Sequence, residues 1–385
     1  MELTNYENTN FPEVLLHESD ERKKQYFAGL VAHHPNLDKA TEETLRHIRS
    51  FVDERIVLVC GPSGVGKNEL IKMVTQKITE AEENNPNKRL GCIPVLEAEA
   101  IAPKDGSFNF NNLWGAVLEG NEPMMDYKIG WENREDYNKN GERVLLSKKR
   151  KGEYEQVLIN FLKYRQVQAF IINEAHHTLM VATDKKANSS VNVLKSLASS
   201  KRPIVLVGTY ELLKYLELNS ECVDQIIRRT RIVDFPRYYK NAQGYKHFGA
   251  AAQELILNMP FEKIDPNIIY ENFDYLFENS LGRIGALKIW LMDAYAIALD
   301  RHAQSLTMED LEASRTPGFL SSTVLEGIEA GEERMKKILS DEKNYNSLKA
   351  PAENMDKVIS KPSSKKRVPG ERNPKRDAAL GGLSL

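Results

Sequence analysis

The chain has 385 residues, 41% hydrophobic and 28% charged, with a formal net charge of −2. That length accommodates one large domain with a smaller one and tails, and no apolar run approaches the ~20 residues of a membrane-spanning helix. The near-neutral balance excludes a uniformly basic coat, so any contact with nucleic acid must come from local patches.

The polar, acidic first residues lack the pattern of a secretory signal. Three widely spaced cysteines, Cys60, Cys92 and Cys222, read as reduced thiols, which points to a cytoplasmic protein. Residues 1–39 read as an N-terminal arm with an apolar patch at Phe11, Val14, Leu15 and Leu16. Residues 40–52 predict an amphipathic helix with Thr41 as N-cap and Leu45, Ile48 and Phe51 on one face.

Ile56-Val57-Leu58-Val59-Cys60 then predicts a buried strand, and Glu69 to Val74 a helix. Between them lies Gly61-Pro62-Ser63-Gly64-Val65-Gly66-Lys67-Asn68. Strand, glycine-rich turn and helix together are the context of a P-loop. Glycines let successive backbone N–H groups curl round a phosphate, and the helix N-terminus adds partial positive charge. Lys67 is expected to reach the β- and γ-phosphates of ATP, with Glu69 in the first helical turn. Asn68 stands where a Ser or Thr hydroxyl normally holds Mg2+.

Cys92 to Leu96 predicts a second strand, Leu113 to Leu118 a helix and Tyr154 to Tyr164 another. Ala169-Phe170-Ile171-Ile172 predicts a third strand, ending in Asn173-Glu174-Ala175-His176-His177. Glu174 matches the residue that polarises the attacking water in P-loop ATPases, but Asn173 stands where an Asp usually serves the cation. An amide oxygen is neutral, and a hard cation prefers anionic oxygen. Asn68 and Asn173 are thus the expected but weakened Mg2+ side of the site, and slow hydrolysis follows. The adjacent histidines point in different directions on most backbones, which argues against a separate metal site.

Residues 203–209 predict a fourth strand whose tip, Gly208-Thr209, offers a hydroxyl to a γ-phosphate or water. Ile232 to Phe235 predicts a fifth. Just before it, Arg228 and Arg229 are candidates to reach a neighbouring subunit's nucleotide; a solvated basic turn is the plain alternative. Alternating strands and helices predict an α/β fold with a parallel sheet over residues 40–239. Residues 240–320 carry only helical patterns and predict a small lid, with Arg283 at a helix start either reaching back to the phosphates or lying on the surface. Residues 321–385 predict a helix and a disordered basic tail. Lys104 and the run Lys148, Lys149, Arg150 and Lys151 are either a phosphate-tracking surface for DNA or a solvated face.

Taken in order, these motifs resemble the AAA+ ATPases and, within them, the TniB/TnsC-like transposition regulators. The resemblance spans about residues 40–315. It rests on the P-loop, Ile93-Pro94-Val95 with Ala102-Pro103-Lys104, the Asn173-Glu174-Ala175-His176-His177 run, Val207-Gly208-Thr209 and Gly282-Arg283-Ile284-Gly285. It implies an ATP-dependent homo-oligomer, a ring or filament, encircling double-stranded DNA. Such an assembly links a TniQ/TnsD-like target selector, RNA-guided or sequence-reading, to a DDE-type transposase, with Lys104 in a DNA-facing loop. A helicase loader or replication initiator, or a nucleotide-gated switch without DNA binding, are the alternatives.

Overall fold

Runs of β-branched and aliphatic residues can be apolar throughout only where both sides of a sheet are covered. The computed structural model describes residues 11–50, 55–103, 108–119, 135–137, 143–145, 153–180, 184–217, 229–264 and 267–347. Its strands are β1 (Ile56–Cys60), β2 (Val95–Glu99), β3 (Glu135–Tyr137), β4 (Arg143–Leu145), β5 (Ala169–Asn173), β6 (Ile204–Gly208) and β7 (Thr230–Asp234). Five of them form one sheet in the order β2-β5-β6-β1-β7, every pair parallel. The P-loop strand β1 is central, with Val59 opposite Val207 on one side and Val233 on the other. β3 and β4 pair antiparallel as a two-stranded sheet within the polar stretch before the third predicted strand.

The helices are α1 (Asp20–Gly29), α2 (Pro35–Ile48), α3 (Lys67–Glu83), α4 (Phe110–Glu119), α5 (Glu153–Tyr164), α6 (Asp184–Ala198) and α7 (Lys214–Glu217). They continue with α8 (Ala242–Leu257), α9 (Asn267–Glu271), α10 (Phe273–Ser280), α11 (Ile284–Asp300), α12 (Met308–Ala313) and α13 (Gly318–Ser347). The period-2 alternation of strands divides the sheet's side chains between two faces. Val57, Val59, Ile171, Val205, Val207 and Val233 pack with Leu37 and Leu45 of α2 and Leu70 and Val74 of α3. Alternation sends Phe170 to the other face, where its ring lies 6.0 Å from that of Trp114 on α4. A second core joins α8 to α12 through Phe248, Phe277, Leu287, Leu291 and Tyr295, and Phe27 of α1 is fully buried in it. The chain divides into two compact units, one through Lys336 and one from Lys337 onward, within α13.

Several boundaries differ from the sequence expectation. α2 starts at Pro35 rather than residue 40, with proline at its first position and the His34 side chain accepting from the Leu37 N–H. Thr41 is therefore not a cap but a fully buried helical residue. The second strand lies three residues later than expected, because β2 is an edge strand that keeps Glu97 and Glu99 exposed. Within the helical stretch predicted over 240–320, the chain breaks between α9 and α10 at Asn272, whose side chain donates to the Ile268 carbonyl.

Candidate nucleotide site

Parallel strands present their carboxyl ends along one edge, where α/β proteins place ligands. β1, β5 and β6 end there, followed by Gly61, Glu174 and Thr209. Gly61 donates its N–H to the Gly208 carbonyl at 3.3 Å, fixing the loop's start against β6. A Cβ on Gly61 would sit 2.2 Å from the Phe235 carbonyl oxygen, so only glycine fits. Gly64 and Gly66 hold φ of 80° and 112°, which L side chains rarely adopt. Gly66 is the N-cap of α3 and supplies no side-chain cap, leaving the first-turn N–H groups aimed at the loop's concavity.

Lys67 is 6% exposed. Its ammonium donates to the Gly61 and Pro62 carbonyls at 3.1 and 3.0 Å. Burial pushes its pKa down to about 8, Glu174 and Cys60 oppose that fall, and Arg283 adds to it. Arg283, 220 residues away in sequence, donates from Nη1 to the Ser63 carbonyl at 2.9 Å. The Ala286 N–H donates to the Gly64 carbonyl at 2.8 Å. The start of α11 thus lies directly on the P-loop, and two cationic side chains meet its carbonyls.

Beside the loop is an apolar cleft walled by Leu30, Val31, Ala32, Val65, Leu255 and Ile284, with Glu69 and Lys288 at its polar rim. Lys288 reaches back to the Leu30 carbonyl at 2.5 Å. An apolar cleft next to a P-loop suits a nucleobase. The sequence reading missed Leu30 to Ala32, and the one local signal was their apolar run directly after a helix.

Thr209 follows β6, and its Oγ1 is buried with no hydrogen-bond partner. Such an orphan hydroxyl costs about 1–3 kcal/mol until something satisfies it. Glu174 holds φ of 49°, a left-handed conformation costing on the order of 1–3 kcal/mol in a non-glycine residue. His176 Nδ1 stands 3.4 Å from Glu174 Oε2 without hydrogen-bond geometry. Burial and then His177 push the His176 imidazole's pKa down. His177 is tied instead to the Ala100 carbonyl, 2.7 Å from its Nδ1. No cluster of three metal-ligating side chains occurs among the described residues.

Asn173 donates from Nδ2 to Asn68 Oδ1 at 3.1 Å, and its own Oδ1 accepts the Glu174 N–H at 2.9 Å. Both amide oxygens that were expected to face Mg2+ are engaged. The loop, Lys67 and Arg283 fit a nucleotide's phosphates; the two asparagines do not fit a cation held by the protein.

Arg229 immediately precedes β7, whose first residue pairs with the first residue of β1. It is therefore at the sheet edge opposite the P-loop, about 13–17 Å away along the strand. Arg228, Lys104 and Lys148, Lys149, Arg150 and Lys151 lie outside the described residues, as do the basic runs of the tail. No described helix is long and apolar enough to cross a membrane.

Residues 46–216 match the AAA domain family. No curated protein matches the chain. Among solved structures, Aeropyrum pernix ORC2 in its ADP form is similar at 13% identity and TM-score 0.50, over 76% of this chain and 71% of that one. Pyrobaculum aerophilum Cdc6p is similar at 10% identity and TM-score 0.49, over 76% and 70%. A. pernix ORC1, solved in complex with DNA, is similar at 14% identity and TM-score 0.47, over 76% and 68%. With its five-stranded parallel sheet, P-loop and following helical region, the chain is built on an AAA+ P-loop module.

Proposed function

We propose that this protein binds ATP between subunits, assembles on double-stranded DNA and regulates DNA transposition. The observation that carries the inter-subunit part is the division of cationic groups between the sheet's two edges. Lys67 and Arg283 meet the P-loop of their own chain, whereas Arg229 is at the far edge, out of reach of that loop. In this reading it serves a nucleotide site on the next copy, where a guanidinium neutralises phosphate charge. Arg228, Lys104 and Lys148 to Lys151 complete the proposal on the sequence's authority, the latter five as DNA contacts.

Glu174 orients the attacking water and Thr209 senses the terminal phosphate in this reading. A γ-phosphate oxygen would satisfy the orphan Thr209 hydroxyl, so recognition of ATP over ADP has a physical source. Hydrolysis is slow in this reading, because Asn68 and Asn173 replace the hydroxyl and the carboxylate that would hold a Mg2+ against the developing phosphate charge. The transposition role, with a TniQ/TnsD-like selector and a DDE-type transposase as partners, rests on the sequence resemblance. The solved ORC2 structure supports the fold alone, and a helicase loader or replication initiator is the second reading.

Fluorescence anisotropy of a labelled duplex, with and without ATP at moderate salt, tests the reading. ATP should tighten DNA binding without regard to sequence. An affinity unmoved by ATP would overturn it. Pull-down of the purified transposase rather than the replicative helicase separates the two partner assignments.

A further inference from the structure

The two asparagines on the cation side of the site have a defined hydrogen-bonding order. The Glu174 backbone N–H can only donate, so Asn173 must turn Oδ1 toward it, at 2.9 Å. That leaves the Asn173 Nδ2 group facing Asn68, so Asn68 must present its Oδ1, at 3.1 Å. The amide orientation of both residues follows from one backbone group rather than from a free choice of flip. Where a hydroxyl and a carboxylate would meet a divalent cation, each amide oxygen already accepts a hydrogen bond and neither carries the negative charge a hard cation prefers.

The loop beside them is rich in positive charge instead. Lys67 and Arg283 both donate to P-loop carbonyls, and α3 begins there without a side-chain cap. Phosphate oxygens entering the loop would take over these donors. Charge neutralisation then comes from two side chains and the helix start, with no bond from protein to metal.

We infer that this site takes a nucleoside triphosphate in its metal-free form, and that the Asn173–Asn68 hydrogen bond replaces the divalent cation as the link between β5 and the start of α3. The inference rests on the reading of the P-loop as a nucleotide site. In most P-loop proteins a cation bridges nucleotide and protein, so chelation removes affinity. Here magnesium is no ligand of the protein, and a chelator should leave affinity unchanged or raise it, since the free triphosphate is the more negative ligand.

The experiment is titration of the full chain with a fluorescent ATP analogue, in magnesium chloride and in EDTA. It is repeated with Asn68→Ser combined with Asn173→Asp, both positions lying at least partly exposed so that the fold tolerates them. The wild type should bind in EDTA within about threefold of its affinity in magnesium, or more tightly; the double variant should lose about tenfold or more in EDTA. A wild type that loses tenfold or more in EDTA would overturn the inference while leaving the nucleotide site intact. A double variant indifferent to chelation would overturn the role given to the two amides. Binding in neither buffer, by a protein with an intact thermal transition, would overturn the nucleotide reading itself and this inference with it.

Discussion

Burial, the largest influence, brings the Lys67 ammonium from an ordinary value of 10.5 down to about 8. A lysine depressed in the folded state costs stability wherever the unfolded chain holds its proton more tightly. That cost is complete below about pH 8 and is relieved as pH rises from there toward the ordinary lysine value. Phosphates entering the loop favour the charged form, so nucleotide binding above pH 8 takes up a proton. Calorimetry in two buffers of different ionisation enthalpy should show that uptake, with affinity falling by up to about tenfold per pH unit above about pH 8. A flat profile from neutral pH to about 9.5 would remove Lys67 from the phosphate contact. Thr209 gives a second test at this scale. Thr209→Val removes an orphan buried hydroxyl, so stability should hold or rise by about 1 kcal/mol while ATP turnover falls at least about tenfold. Loss of stability in step with turnover would assign Thr209 a structural role instead.

The elements around the site are held by close contacts that single changes should loosen. Gly64 lies under α11, with a would-be Cβ 3.1 Å from Ala286 and a positive φ. Gly64→Ala should cost about 1–2 kcal/mol and weaken nucleotide binding, measured by thermal melting with and without ATP. Next to the sheet, the Arg237 guanidinium meets the Glu332 carboxylate of α13 at 2.8 and 3.2 Å. The Tyr210 hydroxyl donates to Asp234 at 3.1 Å, and a Cβ on Gly331 of α13 would lie 2.5 Å from the Tyr210 ring. Burial, and after it the Glu332 charge, push the Asp234 carboxyl up to about 6, against the Tyr210 hydrogen bond. A raised carboxyl destabilises the fold above that pH and ceases to as pH falls through 6 to the unfolded value. Asp234→Asn should therefore stabilise by on the order of 1 kcal/mol at neutral pH, with the gain disappearing near pH 4. Equal shifts at both pH values would refute this.

Much of this arrangement was legible because it is contiguous in the chain. β1, the glycine turn and α3 are consecutive, and both-sided burial makes β1 and β6 apolar throughout and β5 apolar up to Asn173. Arg283 stood out between glycines at a helix start, and it does meet the Ser63 carbonyl. The cleft was not legible, because Leu30 to Ala32 meet Val65 and Leu255 only after folding. Asn68 and Asn173 were legible as departures from a pattern. Their hydrogen bond was not, since it needs β5 and α3 to end within reach of each other. Helix starts were missed where a cap was unusual, as with His34 before α2.

At the scale of the whole molecule, the AAA+ module has nucleotide-facing cations at one sheet edge and Arg229 at the other. On the proposed reading a nucleotide site draws on both ends when copies stack, so bound nucleotide should act as the joint of an assembly. A joint that turns over slowly would keep the polymer on DNA long enough to present its ends to partners. Sedimentation velocity of the full chain with duplex DNA, in ATP and without nucleotide, tests this claim most directly. Species much larger than one copy per duplex are expected in ATP, lost on Lys67→Ala or Arg229→Ala. A single copy sedimenting on DNA alike with and without ATP would contradict it.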